Sequence, residues 1–325
     1  MKLMTMVDAI NNALDLGLAE NDQMVIYGED VGTEGGVFRV TAGLQQKYGE
    51  QRVFDSPLAE SGIAGTAVGM AAAGMKPVIE MQFSGFSYHA FHQIMYQVAR
   101  MRNRTRGKFV IPMVIRMPYG GGIKAPEHHS ESMEILYAAI PGLKVVIPST
   151  PHDAKGLLLE AIRGEDPVIF MEPKRLYRAM KQEVNEEPFS ISLGKAKVVQ
   201  EGSDVTLVSY GACMREALQA AKAAQEQGVS VELIDLRTIY PLDRHTIGES
   251  VRKTGRALVV HEGPESYGPG AEIISAVIDE AFLFLEAPPS RLSGFDTVIP
   301  LPQGEHWYIH TPERIVYELK NLMSY

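Results

Sequence analysis

The chain holds a single cysteine, Cys213, so no internal disulfide can form, and a reducing cytoplasm suits its chemistry. No uninterrupted apolar stretch approaches the roughly 18 residues that cross a bilayer. The N-terminus, Met1-Lys2-Leu3-Met4-Thr5, lacks the apolar core of a secretory signal. Basic residues form no block beyond the mild Arg100–Lys108 stretch, and the net charge is −9, which argues against nucleic acid as a partner. No Gly-x-Gly-x-x-Gly follows a strand candidate, which weakens a dinucleotide site. Gly120-Gly121-Gly122 is not followed by Lys-Ser/Thr at a helix start, so it is no P-loop. His128 and His129 are adjacent and point apart in most backbones. With no second Cys/His cluster, a zinc site is not expected.

What remains is a chain of 325 residues, 45% apolar and 22% charged, the balance of a globular protein of two domains. Strand candidates at Met24–Tyr27, Arg52–Phe54, Pro77–Met81, Pro112–Arg116, Lys144–Ile147 and Val168–Met171 alternate with helix candidates. The helices fall at Thr5–Leu18, Glu60–Ala73, Ser87–Arg102 and Pro151–Ile162. Such alternation implies βαβ units and a parallel sheet. The mixed-charge segment Tyr177–Pro188 breaks the pattern, and alternation resumes from Val205. The expected fold class is therefore α/β with two domains, each a largely parallel sheet flanked by helices. Residues 1–185 form the first domain, 186–199 a linker and 200–325 the second.

Ligands of open parallel sheets bind outside the C-terminal ends of strands. Four features fall at such ends: Gly28-Glu29-Asp30, Gln82-Phe83-Ser84-Gly85-Phe86, Tyr119–Gly122 with His128-His129 beyond, and Glu60 after Arg52–Phe54. The stretch Asp55–Gly65 is the most specific. It sets Glu60 at the mouth of a helix whose glycines at 62, 65 and 69 share one face, open to close approach of a second backbone. A carboxylate in so tight and dry a contact needs a partner. Against this stands an ordinary first-turn glutamate meeting the helix dipole, with Ser56-Pro57 as cap and first-turn proline. The triple glycine reads as a phosphate cradle or a plain flexible turn. A loop histidine suits acid–base work, and Phe86 and Tyr88 are either core aromatics or a platform for a flat ring. Cys213 reads as structural. Asp235-Leu236-Arg237 and Asp243-Arg244 read as turn and surface pairs.

Five strings in order carry a resemblance: Gly28-Glu29-Asp30-Val31-Gly32, Asp55–Ile63, Pro126–Ser130, Pro141–Val146 and Asp235–Asp243. Together they resemble the β subunit of the thiamine-diphosphate-dependent E1 component of 2-oxo acid dehydrogenase complexes, over essentially the full length. The resemblance implies a pyrimidine-type thiamine-diphosphate-binding domain followed by a transketolase C-terminal-like domain. It implies that Glu60 hydrogen-bonds the cofactor's aminopyrimidine and starts the proton transfer that activates it. Glu29, Leu58, Gln82 and Phe86 fall where the family lines the pyrimidine pocket. His129 matches the histidine that assists transfer of the acyl group to a lipoyl group. His128 departs from the family pattern and takes no role. The family can also bind potassium in the first domain, where Met113, Ala161, Ile162 and Asp166 align.

Thiamine-diphosphate enzymes hold Mg2+ and diphosphate with a Gly-Asp-Gly followed by an Asn, and this chain has no Gly-Asp-Gly. The resemblance then implies an α2β2 heterotetramer in which an E1 α subunit holds the diphosphate and Mg2+. Its substrate is a small 2-oxo acid, its product partner the E2 lipoyl acyltransferase. Ala125-Pro126-Glu127-His128-His129-Ser130 is of the pyruvate type. Branched-chain 2-oxo acid or acetoin chemistry, and a non-catalytic assembly subunit on the same fold, keep the same motifs.

Overall fold

The computed structural model describes residues 1–325 and arranges their fourteen strands in three sheets. The strands are β1 (Lys2–Met4), β2 (Met24–Gly28), β3 (Val53–Asp55), β4 (Lys76–Glu80), β5 (Val114–Tyr119), β6 (Lys144–Val146), β7 (Val168–Pro173) and β8 (Gln182–Val184). Beyond them come β9 (Lys197–Gln200), β10 (Val205–Ser209), β11 (Val231–Asp235), β12 (Thr238–Tyr240), β13 (Ala257–Pro264) and β14 (Ser290–Gly294). The first sheet runs β12-β6-β7-β5-β4-β2-β3 and the second β14-β13-β10-β11-β9, while β1 pairs with β8 alone. Both large sheets are parallel except at one edge, where β12 and β9 run antiparallel. The α/β expectation of two largely parallel sheets flanked by helices therefore holds.

Strands β5 and β7 are buried along their whole length, as apolar runs covered on both faces must be. One helix, Met6–Glu20, starts in a capping box: Thr5 Oγ1 accepts from the Asp8 amide while the Thr5 amide donates to Asp8. Its apolar face packs against helix Pro151–Arg163 beneath the first sheet. The opposite face of that sheet shares one continuous apolar core with the second, joining Ile63, Ala67 and Ile115 to Ile234, Ile247 and Val277. The domains are thus fused through packing as well as through β12, a strand that comes after residue 200 and completes the first sheet.

Three local readings change. The segment Tyr177–Pro188 contains β8, tied to β1 at the N-terminus. It ends where Lys155 Nζ donates to the carbonyls of Asn185, Glu186 and Glu187, so backbone pairing outweighs its mixed charge. Ser87–Arg102 is not one α-helix but a 3-10 turn (Ser84–Ala90), a short α turn, a π turn (Ile94–Val98) and a final α turn (Met101–Arg104). Ser87 Oγ causes part of this by bonding the Ser84 carbonyl and Tyr137 Oη instead of leaving the backbone to its helical ladder. The Glu60–Ala72 helix is capped by Ala59 without a side-chain bond, because Ser56 is drawn away to pair its amide with the Gly28 carbonyl.

Candidate active site

The parallel strands bring their C-terminal ends to one edge. Glu29 leaves β2, and Glu60 opens the helix after β3; both residues are buried, with 6% and 7% of their surface exposed. Burial first, and then the neighbouring charges of Glu60 and Asp30, push the Glu29 carboxyl above its ordinary value. Glu29 Oε1 has no hydrogen-bond partner within the chain. Asp30, held at a positive φ, accepts from Gln82 Nε2 at 2.8 Å, which fixes the turn after β2 to the turn after β4. Asp55 fastens the same turn from β3, accepting from the amides of Gly32 at 2.6 Å and Thr33 at 3.1 Å.

His129 stands beside this edge, half-buried between two rings. Its imidazole lies 4.3 Å from Phe83 and 5.1 Å from Phe86, both edge-on, and Nδ1 lacks a partner. Burial, then the charges of Lys174 and His128, hold it below the ordinary histidine range. The turn after β4 reaches the histidine turn because residue 85 is glycine: a Cβ there would lie 2.3 Å from the His128 carbonyl oxygen. His128 itself is exposed. Leu58 is 82% exposed at the mouth, the one predicted lining residue that the chain alone leaves in the open.

The triple glycine is neither a phosphate cradle nor a loose turn. Its amides are taken by carboxylates from the second domain. Glu262 accepts from Gly121 N at 2.7 Å and Ser132 Oγ at 2.5 Å, and Glu305 accepts from Gly122 N at 2.7 Å and Lys124 N at 2.9 Å. A phosphate would meet two negative charges there. Gly120 N closes the loop on the Glu131 carbonyl at 2.8 Å, so the loop that carries His129 is clamped from both sides.

Asp235 and Arg237, read from sequence as turn residues, join the domains instead. Asp235 is buried against Ser149 Oγ, and burial lifts its carboxyl to about 7. Arg237 reaches Asp153 across the interface at 2.7 Å. Asp243 caps helix Arg244–Thr254 and accepts from Ala196 N at 3.0 Å. Cys213 is buried, and burial pushes its thiol up, away from the reactive form.

Met113, Ala161, Ile162 and Asp166 gather where helix Pro151–Arg163 turns into β7, with Val168 N donating to the Met113 carbonyl at 3.0 Å. The protein's own cations already serve two of these groups. Lys76 Nζ lies 3.2 Å from the Ile162 carbonyl, and Asp166 is paired with Arg102 at 2.5 Å and Lys144 at 3.3 Å. The Met113 and Ile162 carbonyls and the Asp166 carboxylate are thus already engaged within the chain. Across the molecule no cluster of three or more His, Cys, Asp or Glu side chains is placed to hold a metal, and no helix is long and apolar enough to cross a membrane.

Two residues at the edge were given no role of their own from the sequence. Phe83 forms the wall shared by Phe38, Phe86 and His129. Lys174, the first residue after β7, is buried there as well. Both directly follow or closely trail strand ends, the one signal that pointed to them.

Fold and edge define a two-domain chain of the transketolase type, with the acidic pair on its pyrimidine-side domain. Residues 2–180 match the family model "Transketolase, pyrimidine binding domain" and residues 194–315 "Transketolase, C-terminal domain". A solved "Split gene transketolase, inactive beta4 tetramer" superposes with a TM-score of 0.82 at 21% identity, covering 99% of each chain. Sequence similarity goes further. The chain is 55% identical over 322 residues to the "Pyruvate dehydrogenase E1 component subunit beta" of Acholeplasma laidlawii, covering 99% of this chain and 98% of that one. It is 50% identical to the protein of that name from Mycoplasma genitalium, over 98% of each, and 48% to that of Staphylococcus epidermidis, over 100% of each. The chain belongs to the family of pyruvate dehydrogenase E1 component β subunits.

Proposed function

We propose that this chain works in the cytoplasm as the pyrimidine-side half of an α2β2 pyruvate dehydrogenase E1. An α subunit supplies the diphosphate and Mg2+ site, and an E2 lipoyl group receives the acyl unit. The observation that carries this reading is the buried pair Glu29 and Glu60, with Glu29 Oε1 unpartnered, at the C-terminal edge of a parallel sheet. A buried carboxyl oxygen without a donor is a place prepared for one. These residues fit thiamine diphosphate: Glu29 and Glu60, with Gln82, Phe86 and Leu58, would hold its aminopyrimidine.

The bare helix face supports a second chain. A Cβ added at Gly69 meets nothing, one at Gly62 meets only Ala59 Cβ at 3.6 Å, and one at Gly65 meets only Gln93. Apart from Gln93 beside Gly65, no side chain from elsewhere in the fold covers the glycines, which leaves room for another backbone.

Thiamine diphosphate, when bound, supplies a nucleophilic carbon and an electron sink for the loss of carbon dioxide. The chain's contribution is protonic. Glu60 opens its helix, largely buried, where its carboxylate would hold a ring nitrogen of the bound cofactor and take or give a proton there. Glu29, kept protonated to higher pH than an ordinary carboxyl, limits the negative charge beside it. Phe83 and Phe86 exclude water around His129, whose free Nδ1 is the atom to hold or move a proton as the acyl group passes to a lipoyl sulfur.

In the reconstituted tetramer, Glu60→Gln should lower pyruvate decarboxylation at least about 100-fold, the low end of general acid–base contributions. Unchanged decarboxylation would instead identify a non-catalytic assembly subunit. Turnover of branched 2-oxo acids or acetoin in preference to pyruvate would correct the substrate. Calorimetry on the purified chain alone should show no Mg2+-dependent thiamine diphosphate binding.

A further inference from the structure

One cation at the sheet edge has no counterpart in this scheme. Lys174 is 4% exposed, and its Nζ has no hydrogen-bond partner. An ammonium buried without an acceptor costs several kcal/mol, roughly, so proteins rarely keep one where nothing needs it. Its position is specific. Nζ lies over the Phe83 ring at 5.7 Å from the centroid, and the His129 imidazole packs on that same ring at 4.3 Å. The carboxylates that attract the ammonium, Glu262 and Glu305, are already engaged with the glycine-loop amides and Ser132, and neither bonds it. Its chain neighbour Arg175 pairs with Glu216 at 3.1 Å and so leaves Lys174 the free cation.

We propose that Lys174 is a positioning residue for acyl transfer, its charge behind Phe83 holding the His129 imidazole neutral so that Nδ1 stays available to the lipoyl sulfur. The inference rests on the acyl-transfer role given to His129 above.

The surrounding charges agree with it. Glu262 on β13 and Glu305 on the Glu305–Tyr308 helix favour the ammonium, while burial brings it down to about 7. On the histidine side, burial acts first, followed by Lys174 from the turn after β7 and His128 from its own turn. Both groups lie in the same half-dry space, and protonating one opposes protonating the other. On the acid side of neutrality, where the histidine titrates, the lysine carries its proton.

The test is the pH profile of lipoyl-domain acylation by the assembled α2β2 enzyme. In the wild type, activity should fall on the acid side as His129 protonates, and that limb should vanish in His129→Gln. In Lys174→Met it should move up by about half a pH unit, the size expected when one charge acts on another across an intervening ring in a partly screened setting. Lys174→Arg should restore the wild-type position. Should the methionine variant fail to assemble, Lys174→Gln gives the same reading. Acid limbs of both uncharged variants coinciding with the wild type, whatever the loss in rate, would overturn the proposal. A limb that survives in His129→Gln would overturn the histidine's role first and Lys174's with it, and the two failures are told apart by that variant alone.

Discussion

Replacing Glu305 by glutamine tests whether the second domain holds the histidine loop in place. The carboxylate accepts from the amides of Gly122 at 2.7 Å and Lys124 at 2.9 Å, one on each oxygen. Hydrogen bonds to a charged acceptor contribute about 1.5–3 kcal/mol each. Glutamine keeps one acceptor and turns its NH2 towards the other amide, so one bond and the charge are lost. Lys124 is exposed, and its amide can turn to water, which trims the loss to about 1.5 kcal/mol. That is close to tenfold in the equilibrium between clamped and open loop. Hydrogen–deuterium exchange of the assembled enzyme, followed by mass spectrometry, should therefore show residues 120–132 exchanging about ten times faster. A peptide from helix Pro151–Arg163 should exchange at its wild-type rate. If the loop exchanges within twofold of the wild type, the clamp does not exist in solution. If both peptides speed up together, the change is global and the local reasoning is equally refuted.

Gly85→Ala should leave the fold intact by circular dichroism yet cut lipoyl acylation at least about tenfold. Its Cβ would sit 2.3 Å from the His128 carbonyl oxygen and push the histidine turn out of position. Arg116→Met should destabilise the chain by about 3–5 kcal/mol in denaturant titration, because it strands Glu80 and Glu172, which now grip the guanidinium at 2.7 Å from two sides. Glu134 tests linkage. Burial lifts its carboxyl from an ordinary value of 4.5 to about 7, so the folded state binds the extra proton, and stability must fall as pH rises from 4.5 through about 7. Glu134→Gln keeps an acceptor for Tyr210 Oη and should flatten that fall by up to about 3 kcal/mol in melts taken at intervals across this range. A wild-type slope in the variant would refute the assignment.

The part of this molecule visible in its sequence is the part written in local patterns. Parallel-sheet strands such as β2, β4 and β7 appear as short apolar runs, and the helix beginning at Glu60 as glycine and alanine after a proline. From those alone Glu29 and Glu60 are expected at strand ends, and the structure sets them after β2 and β3. What failed did so because its causes are distant in the chain. Nothing around Gly120 announces that Glu262 and Glu305, more than a hundred residues away, take its loop's amides. Asp235 looks like a turn until Ser149 is placed against it, and Thr238–Tyr240 is too short to be seen as a strand without β6 to pair with. Lys174 carries no motif at all; only burial beside Phe83 sets it apart.

The strand β12 has a consequence for anyone who would cut this protein in two. A fragment ending near residue 185 loses the antiparallel partner of Lys144–Val146, and the open row of amides and carbonyls so created is a template for joining another molecule edge to edge. It would also strip the apolar face that the first sheet shares with Ile234 and Val277. Such a truncated piece should aggregate rather than fold, which makes the interior of this chain indivisible even though its family resemblance comes in two parts.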